Sequence, residues 1–289
     1  MKLIDTNHRI VIVGLGLLGG SYARALSRQG YEVSAITLDQ ESIDYALSRR
    51  LIARGSTQVE PDYFADADLV IFALYPTTFV EWIEAHQQVF RPGTILTDVT
   101  GVKSAIVDKI QTMLRPDVEF IPAHPMAGRE VSGVENSDDH IFAGANYVVT
   151  PTERNTQKAI ELCEDLGRVL GFAHISRLSP AEHDEIIGFV SQLTHCLAMA
   201  LMTCQQTEHL EDYTGDSFRD LTRIARMNEV MWSELFFQNK DALLRQMKLF
   251  EDELDRLKAL LQNNDREGLM AMMRYSTERR ALFDKKPLH

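Results

Sequence analysis

The segment Ile10-Val11-Ile12-Val13-Gly14-Leu15-Gly16-Leu17-Leu18-Gly19-Gly20-Ser21 constrains the fold more than any other stretch of this chain. An apolar, strand-like run turns through three spaced glycines into a helix-like one, the order found in a βαβ unit that binds a dinucleotide. Each glycine has its own reason. Gly14 permits the tight turn, Gly16 removes a Cβ that would collide with a cofactor, and Gly19 lets the helix sit close to the strand. Leu17 opens the helix whose N-terminus faces the phosphates, so Gly14, Gly16, Leu17 and Gly19 are the expected cofactor contacts. A plain glycine-rich turn is the competing account.

The pattern continues as a doubly wound α/β fold should. Tyr31 to Ile36, Leu69 to Leu74, Thr94 to Asp98 and Glu119 to Pro122 read as strands, with helix-length segments at Glu41 to Arg50 and Ser104 to Leu114. Two more strands, Asn146 to Thr150 and Phe172 to Ile175, flank a helix from about Glu153 to Leu170. Ser179-Pro180-Ala181-Glu182 is then a capping box with proline at the first helical position. Beyond it only helical spacing recurs, as in Leu243, Met247, Phe250, Leu254, Leu257 and Leu261. The expected architecture is a Rossmann-like nucleotide-binding domain, residues 1–177, followed by an all-helical domain, residues 178–289. The helical part is rich in large apolar residues, among them Met199, Leu201, Met202, Trp232, Phe236 and Phe237. That surplus predicts packing against a second copy, a homodimer; a monomer with an ordinary helical core is the alternative.

Charge and composition exclude several classes. A net charge of -12 speaks against a nucleic-acid partner, though not against an anionic substrate met by a local arginine cluster. No signal peptide and no run of about 18 uninterrupted apolar residues is present, so a soluble cytoplasmic protein without a membrane partner is expected. Cys163, Cys196 and Cys204 lack metal-ligand spacing and read as small core residues in a reducing compartment; no metal site is expected.

Candidate chemistry gathers at strand ends. His124, in Pro122-Ala123-His124-Pro125-Met126-Ala127-Gly128, follows an apolar run and is stiffened by two prolines. A histidine there is suited to accept a hydroxyl proton while hydride leaves the same carbon, or it is structural in a rigid turn. Asp98 ends another strand, and Thr100 after it offers a hydroxyl or caps the next helix, with Lys103 supplying positive charge. Arg219 and Arg223 fall one helical turn apart, as a carboxylate clamp or as two solvated arginines. His195 lies in an apolar helical stretch four positions after Ser191, where a satisfied core histidine is the ordinary case.

Taken together, these segments resemble the prephenate and arogenate dehydrogenases of tyrosine biosynthesis. The resemblance runs through the glycine fingerprint, Asp98 to Lys103, His124 to Gly128, Ser132-Gly133, Glu182-His183-Asp184, Ser191 to His195, Phe218 to Ala225 and Met231-Trp232. It implies oxidative decarboxylation of prephenate or arogenate, with hydride passing to a nicotinamide and carbon dioxide leaving as the ring becomes aromatic. His124 matches the family's catalytic base. Arg223 matches an arginine that binds substrate carboxylate, with Arg219 in support, His195 matches a histidine that holds substrate, and Trp232 closes the pocket.

This sequence also departs from the family pattern. Gly101 stands where a catalytic serine is usual, leaving Thr100 or a water to supply the hydroxyl. Ser191-Gln192-Leu193-Thr194-His195 keeps the second histidine of a Ser-His-Leu-Pro-His pattern but loses the first histidine and the proline, which puts the associated helix kink in doubt. No room is expected for a fused mutase or a regulatory domain. For the cofactor, Thr37 occupies the usual place of a ribose-binding acid, Asp39 lies close by, and Leu38 stands where an arginine would meet a 2'-phosphate. Asp98 is a further expected cofactor contact. NAD is expected and NADP is the alternative, with Arg49 or Arg50 as its only candidate partner. The rival classes are a β-hydroxyacid dehydrogenase, which would place a catalytic lysine in the helical domain, and a non-catalytic NAD-binding sensor.

Overall fold

In the computed structural model, which describes residues 4–283, the strands are β1 (Ile10–Val13), β2 (Val33–Ile36), β3 (Arg54–Ser56), β4 (Leu69–Phe72), β5 (Ile95–Asp98), β6 (Glu119–Phe120), β7 (Ala123–Met126), β8 (Asn146–Val149) and β9 (His174–Arg177). The helices that accompany them are α1 (Leu17–Arg28), α2 (Gln40–Ser48), α3 (Pro76–His86), α4 (Ser104–Met113) and α5 (Gln157–Leu170). After β9 come α6 (Pro180–Ile187), α7 (Thr194–Thr203), α8 (Asp216–Thr222), α9 (Glu229–Gln238), α10 (Lys240–Gln262) and α11 (Arg266–Ala281).

Six strands form one parallel sheet in the order β3-β2-β1-β4-β5-β6. This is the doubly wound order whose topological switch lies between β1 and β4, where ligands bind beyond the strand ends. Strand alternation divides the core. Ile10 and Ile12 join a cluster with residues of α1, α2 and α5, while Val11 and Val13 join one with α3 and α4. Because helices cover both faces, the strands are continuously apolar and the sequence announces them. The short edge strand β3, Arg54-Gly55-Ser56, carries no such signal and was not expected.

His124 sits differently from expectation. Expected just beyond a strand end, with a rigid turn as the alternative, it lies within strand β7, antiparallel to β8 and pairing with Val148, in a second sheet of order β7-β8-β9. Pro125 is tolerated because β7 is an edge strand, where a missing N–H breaks no ladder on the open side. Cys163 and Cys196 are buried as expected, but Cys204 is exposed.

Among the described residues no strand follows Arg177. The capping box at Ser179 and Glu182 forms in full, and α6 continues through a π-helical segment, Gly188–Leu193, into α7. By its packing the chain separates into two compact units, one ending at Lys240 and one beginning at Asp241. The helices α6 to α9 thus belong to the same unit as the nucleotide-binding sheet. They are tied to it by Asp184, which accepts from Ser104 N at 2.7 Å, and by Glu234, which accepts from Thr77 N. In the second unit α10 and α11 meet at a tight turn whose Asp265 caps α11.

The close approach of α1 to its preceding turn yields a prediction. A β-carbon on Gly19 would overlap the Gly14 carbonyl oxygen, a backbone atom that cannot step aside. G19A is expected to cost about 2–3 kcal/mol and to lower Tm by roughly 5–10 °C. Thermal unfolding followed by circular dichroism checks it, and an unchanged Tm would contradict the packing described.

Candidate active site

The turn after β1 is shaped as a phosphate cradle. Gly14 has φ +98, and a β-carbon there would press on the Ala73 carbonyl. No atom lies within 4 Å of the place a Gly16 β-carbon would occupy, so bare backbone borders open space. Gly16 is also the N-cap of α1 without a side-chain acceptor, which leaves the first N–H groups of the helix, beginning at the half-buried Leu17, directed at that space. These features fit a dinucleotide. Thr37 follows β2, half-buried, with its N–H on Ser56 O at 3.2 Å. Asp39 caps α2, accepting from Glu41 N at 3.2 Å, Ser42 N at 3.0 Å and the Ser42 hydroxyl. The Ser42 hydroxyl and those backbone donors hold its carboxyl below the usual range. Arg49 and Arg50 lie just past the other end of α2, lining a cleft with Arg24 and Arg28.

Two expected site residues have other duties. Asp98 is fully buried, and its carboxylate accepts from Ala123 N at 3.0 Å, Thr100 N at 3.0 Å, the Thr100 hydroxyl and Lys103 Nζ at 2.6 Å. Its oxygens are occupied by protein donors rather than directed at a cofactor. Thr100, expected as a catalytic hydroxyl, is buried and bonded to Asp98 and to Val102 O. It does not cap α4 either, because Lys103 N and Ser104 N are met by the Asp184 carboxylate. Lys103 is wholly buried and also donates to Ala123 O. Burial draws its ammonium pKa down from the ordinary value, against the opposing pull of Asp98.

His124 heads a chain of three side chains. Its Nδ1 lies 2.8 Å from His183 Nε2, and His183 Nδ1 lies 2.8 Å from Asp184 Oδ1. The proton positions follow. The Asp184 carboxylate only accepts, so His183 carries its proton on Nδ1; His183 Nε2 then accepts from His124 Nδ1–H, which leaves the His124 Nε2 lone pair free. That nitrogen faces Gly101, where a β-carbon would lie 3.8 Å away in ordinary contact. Burial lowers the His124 pKa well below the usual histidine value, reinforced by His183 and Lys103. Burial likewise lowers His183, although the Asp184 bond opposes it. For Asp184 burial acts upward, but the bonds from His183 and Ser104 outweigh it and the carboxyl lies below its ordinary range. The sequence marked His183 and Asp184 only as a helix start; their signal was a His-Asp pair immediately after a capping box.

A second wall comes from the helices after β9. Trp232 stacks on His195 with centroids 3.7 Å apart and planes at 29°. His195 Nδ1 lies 2.8 Å from the Ser191 carbonyl, which can only accept; the ring therefore carries its proton on Nδ1. The same carbonyl accepts from Thr194 Oγ1 at 2.6 Å, a donor that the expected proline would lack. Arg223 is ion-paired with Glu130, seven residues after Ala123, and both act electrostatically on His195. Arg219 does not join Arg223 in a clamp. Helix α8 ends at Thr222 and a 3-10 turn follows; Arg219 pairs with Asp216 at 3.4 Å while Arg223 pairs with Glu130, so the two guanidinium groups are drawn to different carboxylates. Gln192, in place of the usual first histidine, is buried and bridges Leu235 O and Asn239.

Comparison with known proteins identifies the family. Residues 22–173 match the family model described as prephenate dehydrogenase, nucleotide-binding domain, and residues 179–275 match prephenate dehydrogenase, dimerization domain. The chain is 29% identical to the prephenate dehydrogenase of Bacillus subtilis over 90% of its own length and 72% of that protein's. It is 26% identical to the cyclohexadienyl dehydrogenase of Zymomonas mobilis, covering 94% of each. The crystal structure of prephenate dehydrogenase from A. aeolicus in complex with hydroxyphenyl propionate and NAD+ superimposes with a TM-score of 0.89 at 30% identity, over 96% of this chain and 98% of that one.

The two neutral histidines make stability depend on pH. Their native pKa values lie below the unfolded value near 6.5, so under that pH the unfolded chain binds more protons and stability falls as the solution is acidified. Above pH 6.5 nothing is lost. Each fully depressed histidine contributes up to about 1.4 kcal/mol per pH unit. Urea unfolding at pH 7.0 and 5.5 should show a fall of about 1 kcal/mol or more, and H124N should reduce it; a flat profile would contradict the protonation described.

Proposed function

The chain belongs to the prephenate dehydrogenase family, and from that premise we propose that it converts prephenate to 4-hydroxyphenylpyruvate and carbon dioxide with NAD, using His124 as the base. The observation that carries this reading is the ordered chain Asp184, His183, His124, which leaves one unprotonated imidazole nitrogen open beside Gly101. A dinucleotide whose pyrophosphate lay on the glycine turn would supply, through its nicotinamide, the acceptor for hydride leaving the ring carbon that bears the hydroxyl. His124 Nε2 takes the proton of that hydroxyl, and the positive charge it gains is relayed through His183 toward the Asp184 carboxylate. As the carbon–carbon bond to the ring carboxylate breaks, its electron pair passes through the ring to the oxygen. That oxygen recovers the proton from His124, so no proton is consumed. Aromatisation makes the loss of carbon dioxide downhill, and the protein needs mainly orientation and one base. Arg223 is the group we assign to a substrate carboxylate, with His195 and Trp232 forming the wall beside it.

H124N retains a hydrogen-bonding side chain without a basic nitrogen, and kcat is expected to fall roughly 10²- to 10⁴-fold with KM little changed. R223A should instead raise KM, because the substrate loses a charge-assisted pair. Steady-state kinetics separates the two, and near-native kcat in H124N would overturn the assignment of the base.

Prephenate is preferred over arogenate because the Bacillus subtilis and A. aeolicus relatives, at 29% and 30% identity, are prephenate dehydrogenases. NAD is preferred over NADP because Arg49 and Arg50 lie beyond the far end of α2 and Asp39 stands beside Thr37. Initial rates with each substrate and each cofactor are expected to give the highest kcat/KM for prephenate with NAD. A tenfold preference for NADP or for arogenate would reverse the corresponding choice.

We also assign residues 178–289 to substrate binding and dimerisation, in a cytoplasmic enzyme. The stretch Pro180–Thr203 is long and apolar enough by composition to cross a membrane, but it places His183, Asp184 and Gln192 in buried polar contacts. Its exposed Phe189, Val190, Met199 and Met202, together with Val230 and Phe237 of α9, are the surface a second copy would cover. Sedimentation equilibrium at micromolar concentration should give twice the 32.8 kDa of one chain; a single species of one chain's mass would refute it.

A further inference from the structure

Away from the glycine turn, a cleft of about 710 Å³ is lined by Arg24, Arg28, Arg49, Arg50 and Arg129. It is built from the second half of α1, the end of α2 and the loop after β7. Arg24 and Arg28 lie about 10 and 16 Å along α1 from its first residue, so the cleft is separate from the cradle at the helix N-terminus. Its own acids are Glu135, Asp138 and Asp139. Asp138 pairs with Arg129 and Asp139 with Arg28, and both approach His140. These three side chains bring possible metal-ligand atoms together, but the two arginines already supply positive charge to that group.

Three guanidinium groups remain without a carboxylate among the described residues. Arg24 has a buried Nε with no hydrogen-bond partner and reaches only Ser137 Oγ, at 3.4 Å. Arg49 lies over the Tyr45 ring, and Arg50 adopts a left-handed φ of 57 just after α2. Helix C-termini favour arginine at 49, 50 and 28, yet that preference does not account for Arg24 in the middle of α1 or for an unpartnered buried donor. With five arginines against three acids, the cleft is cationic on a chain whose net charge is -12.

We propose that this cleft binds a small phosphorylated metabolite carrying at least two negative charges. A phosphoryl group presents oxygens in three directions, which suits guanidinium forks arriving from separate walls; a planar carboxylate engages fewer of them. The cleft also has the volume of a small-molecule site.

Pyrophosphate is the probe. Calorimetric titration of the full-length enzyme, with saturating NADH occupying the glycine turn and ionic strength matched with sodium chloride, should give Kd at or below about 1 mM. R49A/R50A, two exposed positions, should weaken binding roughly tenfold or more while leaving Tm without probe and the KM for NAD unchanged. R24Q should weaken it as well. Absence of saturable binding to the wild-type enzyme below about 10 mM would overturn the proposal, as would equal affinity in R49A/R50A. Neither outcome bears on the base or the substrate, which are read from kcat and KM without the probe.

Discussion

One buried ion pair fixes the residue on which the site is hung. Asp98 accepts the N–H of Ala123 and Lys103 donates to its carbonyl, so both backbone groups of the residue preceding His124 end on the same pair. Two charges at zero exposure lose their hydration, and their attraction is sustained only because their remaining valences are filled. Thr100 fills them, donating to Asp98 while its oxygen receives Lys103 Nζ at 3.2 Å. Removal of either charge would leave the other stranded, at about 3–5 kcal/mol. The pair therefore locates a short edge strand whose two residues on either side of the histidine, Ala123 and Pro125, are themselves buried.

From that anchor the site is completed by a carboxylate arriving from far along the chain. Asp184 meets two N–H groups at the start of α4 and turns the same group of atoms toward His183. It thus sets helix geometry and histidine tautomers together. A hydrogen-bond chain closed at one end by a carboxylate, with the far nitrogen open, makes an imidazole a base without ionising it beforehand.

The parts of this arrangement legible in the sequence were those enforced locally. The glycines declare themselves because a positive φ at Gly14 and the close packing at Gly19 exclude side chains. Buried parallel strands show as apolar runs, and the capping box marks α6 to the residue. What stayed hidden depends on long-range pairing. The strand around His124 contains a proline and only four residues, so it looks like a turn until β8 supplies its partner. Asp98 and Thr100 stand at a strand end where ligands usually gather, yet Lys103 folds back onto both and Ala123 N, 25 residues on, takes the other Asp98 oxygen. Arg219 and Arg223 fit a helical repeat, but their guanidinium groups turn to different carboxylates, Asp216 one turn back and the distant Glu130. The family's missing proline likewise has a local answer, since the π-helical segment delivers Ser191 O to both Thr194 and His195.

The span between Ser104 and Asp184 also bears on how the chain is made. During synthesis the sheet through β6 and the helix α4 emerge before Asp184 does, and until then the first amides of α4 have no protein acceptor. That one carboxylate joins the start of α4, the orientation of the His183–His124 pair and the docking of α6. The change from strands to helices after Arg177 is a boundary of secondary structure, whereas the compact unit extends across it to Lys240. The glycines of the cradle therefore leave the ribosome well before the carboxylate that orients the base.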